Sequence, residues 1–410
     1  MQLVEKHVIK RGDSRYQAVD AAAFASKNLY NLANYHMRQA FIHTGKYLGY
    51  AEVYHLVKHE PAYSALPRKV SNDILRLLDK NWKAYRKVLA AWYEDPSQFL
   101  GYPCLPKYKD KQQGRNILIY DIQALSKKGL KRGLVQPSQL GITIETKHSN
   151  VQQARIIPRK GYYVVEVVYE QKEAQAEVDP ALIASIDVGV NNLAALTSNK
   201  VGFIPRLVNG RPLKSTNQYY NKRKAMLQKQ LGTTGTTARM ERMTNKRTRR
   251  IDHYLHTASR RIIDLLVAEG IGTLIIGKNP NWKQESQLRK KDNQHFVQLP
   301  HARFVDMLCY KAKLVGIQVI LQEESYTSKA SFLDLDPLPT YGQCEQDPCF
   351  SGKRIKRGLY QAKSGRKLNA DINGSLNILR KASPNGFPYG VEAIAVQPVR
   401  LAVRTGGHLS

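Results

Sequence analysis

The chain has 410 residues, too many for one compact unit, so two or three domains are expected. Lys and Arg number 64 against 33 Asp and Glu, a formal charge of +31, and self-repulsion of that size destabilises a compact fold unless a polyanion neutralises it. With 42% hydrophobic residues this is no disordered basic tail. No apolar run approaches the ~20 residues of a membrane span, and the excess charge points to nucleic acid held through its phosphates. Cys104, Cys309, Cys344 and Cys349 make no disulfide framework and no signal peptide is read, so a reducing cytosol is the expected compartment.

Gln2–Lys10 reads as a short β segment that Gly12 and Asp13 break. Residues 14–92 are helical in pattern, with Val19, Phe24, Leu29, Leu32 and Tyr35 near one face and Pro61 and Pro67 as interruptions. A helix over 69–92 carries Ile74, Leu77, Leu78, Trp82 and Tyr85 at helical spacing. Between them lie Arg76, Lys80, Lys83, Arg86 and Lys87, against only Asp73 and Asp79, so that face is expected to meet phosphate. Asp95 and Pro96 end the helices, and short β segments follow, one pair joined at Lys160–Gly161 as a hairpin. Strands at 2–10 and 100–175 should therefore form one β-module into which the helices are inserted.

Beyond residue 178 the pattern becomes α/β. A strand runs into Asp187, a carboxylate that is costly at the mouth of a buried strand unless something positive lies opposite. A long basic helical region over 213–269 comes next, then the strand "TLIIG" at 273–277, a helix around 304–315 and the strand "IQVILQEE" at 317–324. An irregular Gly/Pro/Cys segment leads to a last helix opening at "NADINGSLNILRK", and 384–410 reads as a poorly ordered tail. Asp187, the Glu323–Glu324 pair and Asp371 thus come from three separate elements. Taken singly, each acid reads as a cap or turn residue. Together, in a chain that binds polyanions, they point to Mg²⁺ or Mn²⁺ and phosphodiester cleavage, because such hard ions prefer oxygen ligands.

The words "SIDVGVNNLAALT", "YTSK" and "NADINGSLNIL", in this order, resemble the nuclease blocks of the transposon-encoded TnpB family. Those are RNA-guided DNA endonucleases with an RNase H-like RuvC domain, the apparent ancestors of type V CRISPR effectors. The resemblance implies a multidomain α+β protein. An N-terminal β-barrel wedge module (1–12 and 96–178) would carry an inserted helical recognition domain (13–95). A RuvC-like α/β nuclease domain (179–383) would include the basic helix 213–269 and a degenerate zinc-finger-like insertion at 330–368, with a tail at 384–410. It also implies a guide RNA, a double-stranded DNA target read beside a short motif, one chain per RNA, and Mg²⁺ or Mn²⁺ held by Asp187, Glu324 and Asp371 as catalytic residues. Lys329 falls near the phosphates by position.

Two departures from the family pattern carry expectations of their own. The family's usual Glu ends the strand that here closes with Gly277; Glu285, eight residues on and past Pro280 and Trp282, is badly placed to replace it. Some relatives carry the acid just before the "TSK" word, and Glu324 has that relation to Thr327. Strand alternation would send Glu323 to the opposite face. A chain that had lost its Glu would instead be an inactive, guided DNA-binding repressor. The second departure is zinc, which needs four N/S ligands. Only Cys344 and Cys349 lie in the interval where the family has two CxxC pairs, so zinc is not expected, and "GKRIKRGLYQAKSGRKLNAD" should form a basic hairpin turning at Ser364–Gly365.

In the basic helix, Ile251, Leu255, Ala258, Ile262 and Leu265 make a core stripe. That leaves Lys246, Arg247, Arg249, Arg250, Arg260 and Arg261, only partly offset by Asp252 and Asp264, to follow a nucleic-acid backbone by shape and phosphate.

Overall fold

The computed structural model describes residues 1–232, 235–279, 298–340 and 348–403. Two compact units divide it, Met1–Gln171 and Lys172–Ser410. The boundary falls a few residues before the expected 178, because Ala174 and Ala176 donate backbone hydrogen bonds to the carbonyls of Leu314 (2.9 Å) and Val315 (3.1 Å) of the second unit.

In the first unit, β1 (Gln2–Lys10) leads into α1 (Tyr16–Thr44), α2 (Tyr50–Val57), α3 (Pro61–Ser64) and α4 (Arg68–Glu94). The chain then returns through β2 (Leu118–Asp121), α5 (Lys127–Leu130), β3 (Leu134–Val135), β4 (Ile144–Glu145), β5 (Val151–Arg159) and β6 (Tyr162–Glu170). β1 pairs antiparallel with β6 along its whole length, in the order β1-β6-β5-β2, so the helices leave and re-enter a single sheet. The β5–β6 turn is Lys160–Gly161, with Gly161 at φ 82°, a left-handed conformation that glycine adopts without penalty. The barrel expected from the sequence is not closed by backbone pairing among the described residues: the four strands are open and β3–β4 stand apart as a ribbon. α1 and α4 bury Leu29, Met37, Ile74, Leu78 and Trp82 together, and the Trp82 indole N–H donates to Asn34 Oδ1 at 2.9 Å. On the basic face of α4, Arg76 pairs with Asp73 (3.1 Å), Lys83 pairs with Asp79 (2.7 Å), and Arg86 lies over the Tyr47 ring. Three of the five cations expected to meet phosphate therefore have partners within the fold.

The second unit opens with β7 (Asp179–Asp187), β8 (Asn192–Ser198) and β9 (Arg206–Asn209), then α6 (Arg211–Leu231) and α7 (Ala238–Ala268). It continues through β10 (Ile271–Gly277), α8 (His301–Leu314), β11 (Gln318–Gln322), β12 (Lys353–Lys356), β13 (Leu359–Gln361), β14 (Lys367–Asn369), α9 (Ala370–Ala382) and β15 (Val399–Leu401). The main sheet has the order β11-β10-β7-β8-β9-β15; β10 and β11 run parallel to β7, whereas β8 is antiparallel to β7 and to β9.

Strand alternation divides this sheet between two sets of helices. Ala184, Ile186, Leu274 and Ile276 join one core with Leu255, Ile262 and Leu266 of α7 and Phe304 and Leu308 of α8. Ile275 packs with Ile378 and Leu379 of α9, and Ala195 packs with Ile372 and Leu376 of the same helix. Ser185 and Asp187 share a parity that sends both to the α9 face.

Three expectations are corrected in this unit. The basic helical region is two helices, because Gly232 caps α6 at φ 67°. The segment after Pro384 is no loose tail through 403: β15 adds to β9 in parallel, and Ile394 and Val396 are buried. The basic hairpin turns at Ser364–Gly365 as expected, between β13 and β14, but β12 joins it through Gly358 to make a three-stranded meander, β12-β13-β14.

Candidate active site

Asp187 is the last residue of β7, and its carboxyl lies against the start of α9. A Cβ on Gly374 would come within 2.8 Å of Asp187 Oδ2, so the missing side chain is what admits the carboxylate. Beneath it, hydroxyls lock helix to sheet: Ser185 Oγ donates to the Ser375 carbonyl (2.7 Å), Ser375 Oγ donates to the Ser185 carbonyl (3.0 Å), and Thr197 Oγ1 lies within 2.8 Å and 2.9 Å of the two hydroxyls. These residues are fully buried, so each polar atom needs its partner.

Asp371 occupies the first turn of α9, where the helix dipole favours an anion. Asn369 caps that turn, accepting from the amides of Asp371 (2.9 Å) and Ile372 (3.3 Å). The Asp371 carboxylate accepts from Asn192 Nδ2 at 2.7 Å and faces Arg354 at 3.9 Å.

Glu324 lies beyond β11, which stops at Gln322, so alternation along a strand does not separate Glu323 from Glu324. Their hydrogen bonds do. Glu323 is held by Lys381 Nζ at 2.5 Å and by the Ser325 amide at 2.6 Å. Burial raises the Glu323 carboxyl, but Lys381 and Ser325 outweigh it and leave the pKa below the usual value. Glu324 donates its amide to Asn279 Oδ1 (2.9 Å), and its carboxyl reaches over the end of β10 to the place a Gly277 Cβ would occupy.

The electrostatics tie the three acids together. Asp187 is pushed well above the usual carboxylate range, first by burial and then by the charges of Glu324 and Asp371, with Arg354 opposing weakly. Glu324 is raised to about 7 by burial and by Glu323. Among the described residues no three His, Cys, Asp or Glu side chains form a ready cluster for one ion, and Asp371 is engaged by Asn192 and Arg354. The donor chemistry nonetheless fits a hard divalent cation: every donor is a carboxyl oxygen.

The "TSK" word and the last motif meet through two asparagines four residues apart on α9. Asn373 Nδ2 donates to the Ala330 carbonyl (2.7 Å), and Asn377 Nδ2 donates to the carbonyls of Thr327 (3.0 Å) and Ala330 (2.8 Å). Between the "TSK" word and α9, carboxylates knit the loops. Asp336 accepts from the Ser331 amide (2.7 Å) and from Ser351 Oγ (2.6 Å), and Asp334 accepts from the Lys363 amide (2.8 Å). Cys349 is exposed; Cys344 and Glu285 lie outside the described residues. Lys329 is exposed near the Tyr326 ring.

On α7, Lys246, Arg249, Arg250, Arg260 and Arg261 are exposed, and Arg260 is 3.9 Å from Asp264. Arg247 differs. It donates to Asn217 Oδ1 at 2.7 Å and lies over the Tyr220 ring, so it fastens α7 to α6 rather than facing outward. Sequence reasoning missed Asn192 and Arg354, although the Asn pair after "DVG" and the "GKRIKRG" run were visible signals.

Residues 166–283 match the family described as "Probable transposase", and residues 301–378 match "Cas12f1-like, TNB domain". The TnpB-like protein ORF457 of Acidianus two-tailed virus is 25% identical, with 87% of this chain and 81% of that protein aligned. Among solved structures, Cas12f1 in its complex with sgRNA and target DNA is similar in fold, with a TM-score of 0.51 and 16% identity over 88% of this chain and 82% of that one. The chain is thus similar to the OrfB-type transposase family over residues 166–283, to the Cas12f1-like TNB domain over residues 301–378, and to a TnpB-like protein along most of its length.

Proposed function

We propose that this protein is an RNA-guided, divalent-metal-dependent DNA endonuclease whose second unit is an RNase H-like nuclease domain. The observation that carries the reading is the placement of three acids from separate elements: Asp187 at the end of β7 against Gly374 of α9, Glu324 over Gly277 at the end of the neighbouring β10, and Asp371 in the first turn of α9. The strand order β9-β8-β7-β10-β11, with β10 and β11 parallel to β7, supports the domain assignment. Glu324 lying over Gly277 supports the acid having moved from β10 to the segment after β11. Asp187, Glu324 and Asp371 would hold Mg²⁺ or Mn²⁺, which when bound supplies Lewis-acid chemistry that activates water and stabilises the leaving oxygen. Asn192 orients Asp371, and Arg354 balances its charge until substrate phosphate arrives. The solved Cas12f1 complex contains sgRNA and target DNA; for this chain the partners are a guide RNA from the mobile element and a DNA target beside a short motif.

The protein purified with its own RNA, given Mg²⁺ or Mn²⁺ and a library of DNA targets with randomised flanks, should cut a subset sharing one flanking motif. A second reading, a guided repressor, draws on the engagement of Asp371 by Asn192 and Arg354. It wins if the complex binds one motif yet cuts nothing under either metal.

The exposed strip of α7 makes a separate prediction. Reversing Arg249 and Arg250 to Glu should weaken RNA binding and lower the slope of log affinity against log salt by about two or more, since each phosphate contact contributes roughly one unit. Filter binding across a salt series measures this. An unchanged slope would leave α7 facing solvent. Arg247→Ala should act instead on the melting temperature.

A further inference from the structure

We propose that Gly277 is a positioning residue for Glu324: its missing side chain is the space in which the Glu324 carboxylate is held. This rests on the reading of Glu324 as a metal ligand. β10 ends at Gly277, which pairs with Gln322 of the parallel β11. A Cβ built there would lie 2.5 Å from Glu324 Oε2 and 2.6 Å from Ile378 Cδ1, closer than real Cβ atoms come to anything. Gly277 is not among the glycines with positive φ, so its backbone does not require glycine; the space does. Glu324 has little freedom to adjust. Its amide is fixed by Asn279 Oδ1 (2.9 Å), and its carbonyl accepts from Thr327 Oγ1 (2.9 Å), leaving side-chain rotation as the way to give room.

The two atoms a methyl group would strike are both the ends of flexible side chains. Alanine should therefore be tolerated by the strand, where glycine is itself unfavourable, while the carboxylate is driven off its place. Fold and site respond with opposite signs. A residue conserving only the packing of β10 would show both losses together.

The test uses the full chain, labelled with ¹³C at Glu side-chain carboxyls, with the Glu324 resonance assigned by its disappearance in Glu324→Gln. In metal-free protein, Gly277→Ala should shift that resonance and leave the melting temperature equal or higher. Mn²⁺ affinity should fall at least about tenfold, the low end of what losing an orienting neighbour costs a metal site. Glu324→Asp, which withdraws the carboxylate by one methylene, supplies the rescue arm: in the Gly277→Ala background it should cost nothing further, so the double-mutant cycle is non-additive. An unmoved resonance, or additive losses, would overturn the inference. If wild-type Mn²⁺ binding does not depend on Asp187, the metal reading falls, and the metal-free resonance still decides whether Gly277 positions Glu324.

Discussion

Asp187→Asn should melt above the wild type in EDTA and should cut no DNA. In the metal-free fold, Asp187 is half-buried near two other acids, and its pKa is raised above the ordinary Asp value of 3.8. The native state then holds a proton that the unfolded chain releases, so stability falls as pH climbs from that value. Glu324 adds a second penalty, which begins near 4.5 and is complete at about 7. Asparagine keeps the size of Asp187 and removes the charge. The variant's advantage should therefore be small in acid, grow towards neutrality, and reach about 0.5–2 kcal/mol, the usual gain when functional strain is removed. Mg²⁺ or Mn²⁺ should narrow the gap by stabilising the wild type alone, because an ion that binds only the native state adds stability by mass action. Guide binding should persist while cleavage falls by several orders of magnitude, as for other residues that act as a catalytic unit. Calorimetry across pH, with and without metal, measures the first part. A variant that melts below the wild type at neutral pH in EDTA would show that the carboxylate is structural.

The same acids show what the sequence made legible and what it hid. Asp187 and Asp371 were marked by motif words, and those words have local physical causes. Gly374 admits the Asp187 carboxylate, Asn369 caps the helix whose first turn holds Asp371, and Asn373 and Asn377 tie that helix to the "TSK" loop. Features that depend on what lies opposite were not legible. Gly277 reads as an empty strand end until Glu324 is found filling it from another segment. Arg247 looks like its neighbours on a basic helix until Asn217 and Tyr220 of α6 are placed beside it. β15 is three residues of ordinary composition whose strand character comes from the free edge of β9. The separation of Glu323 from Glu324 was expected from alternation, but the strand stops at Gln322 and Lys381 draws Glu323 away.

That last arrangement sets two adjacent glutamates against each other in one experiment. Glu324→Gln should leave the melting temperature unchanged or higher and reduce cleavage by orders of magnitude, since its carboxyl is raised to about 7 and no cationic partner holds it among the described residues. Glu323→Gln should do the reverse. The Lys381 side chain is 8% exposed, and its Nζ is satisfied by the Glu323 carboxylate together with the carbonyls of Ser325 (3.1 Å) and Pro339 (2.9 Å). Removing the charge leaves a buried ammonium with weaker partners, a cost of about 1–3 kcal/mol and a fall of several degrees in melting temperature for a domain of this size. Because the Glu323 pKa is lowered, its contribution is present above the ordinary Glu value of 4.5 and is lost as pH falls through the folded value. The deficit of Glu323→Gln should accordingly be full at neutral pH and disappear in acid, while the folded fraction still cuts at close to the wild-type rate. Melting curves at several pH values, with cleavage rates taken well below the transition, separate the two variants. If Glu323→Gln abolishes cutting without loss of stability, Glu323 is the ligand and the ion pair with Lys381 opens when metal binds.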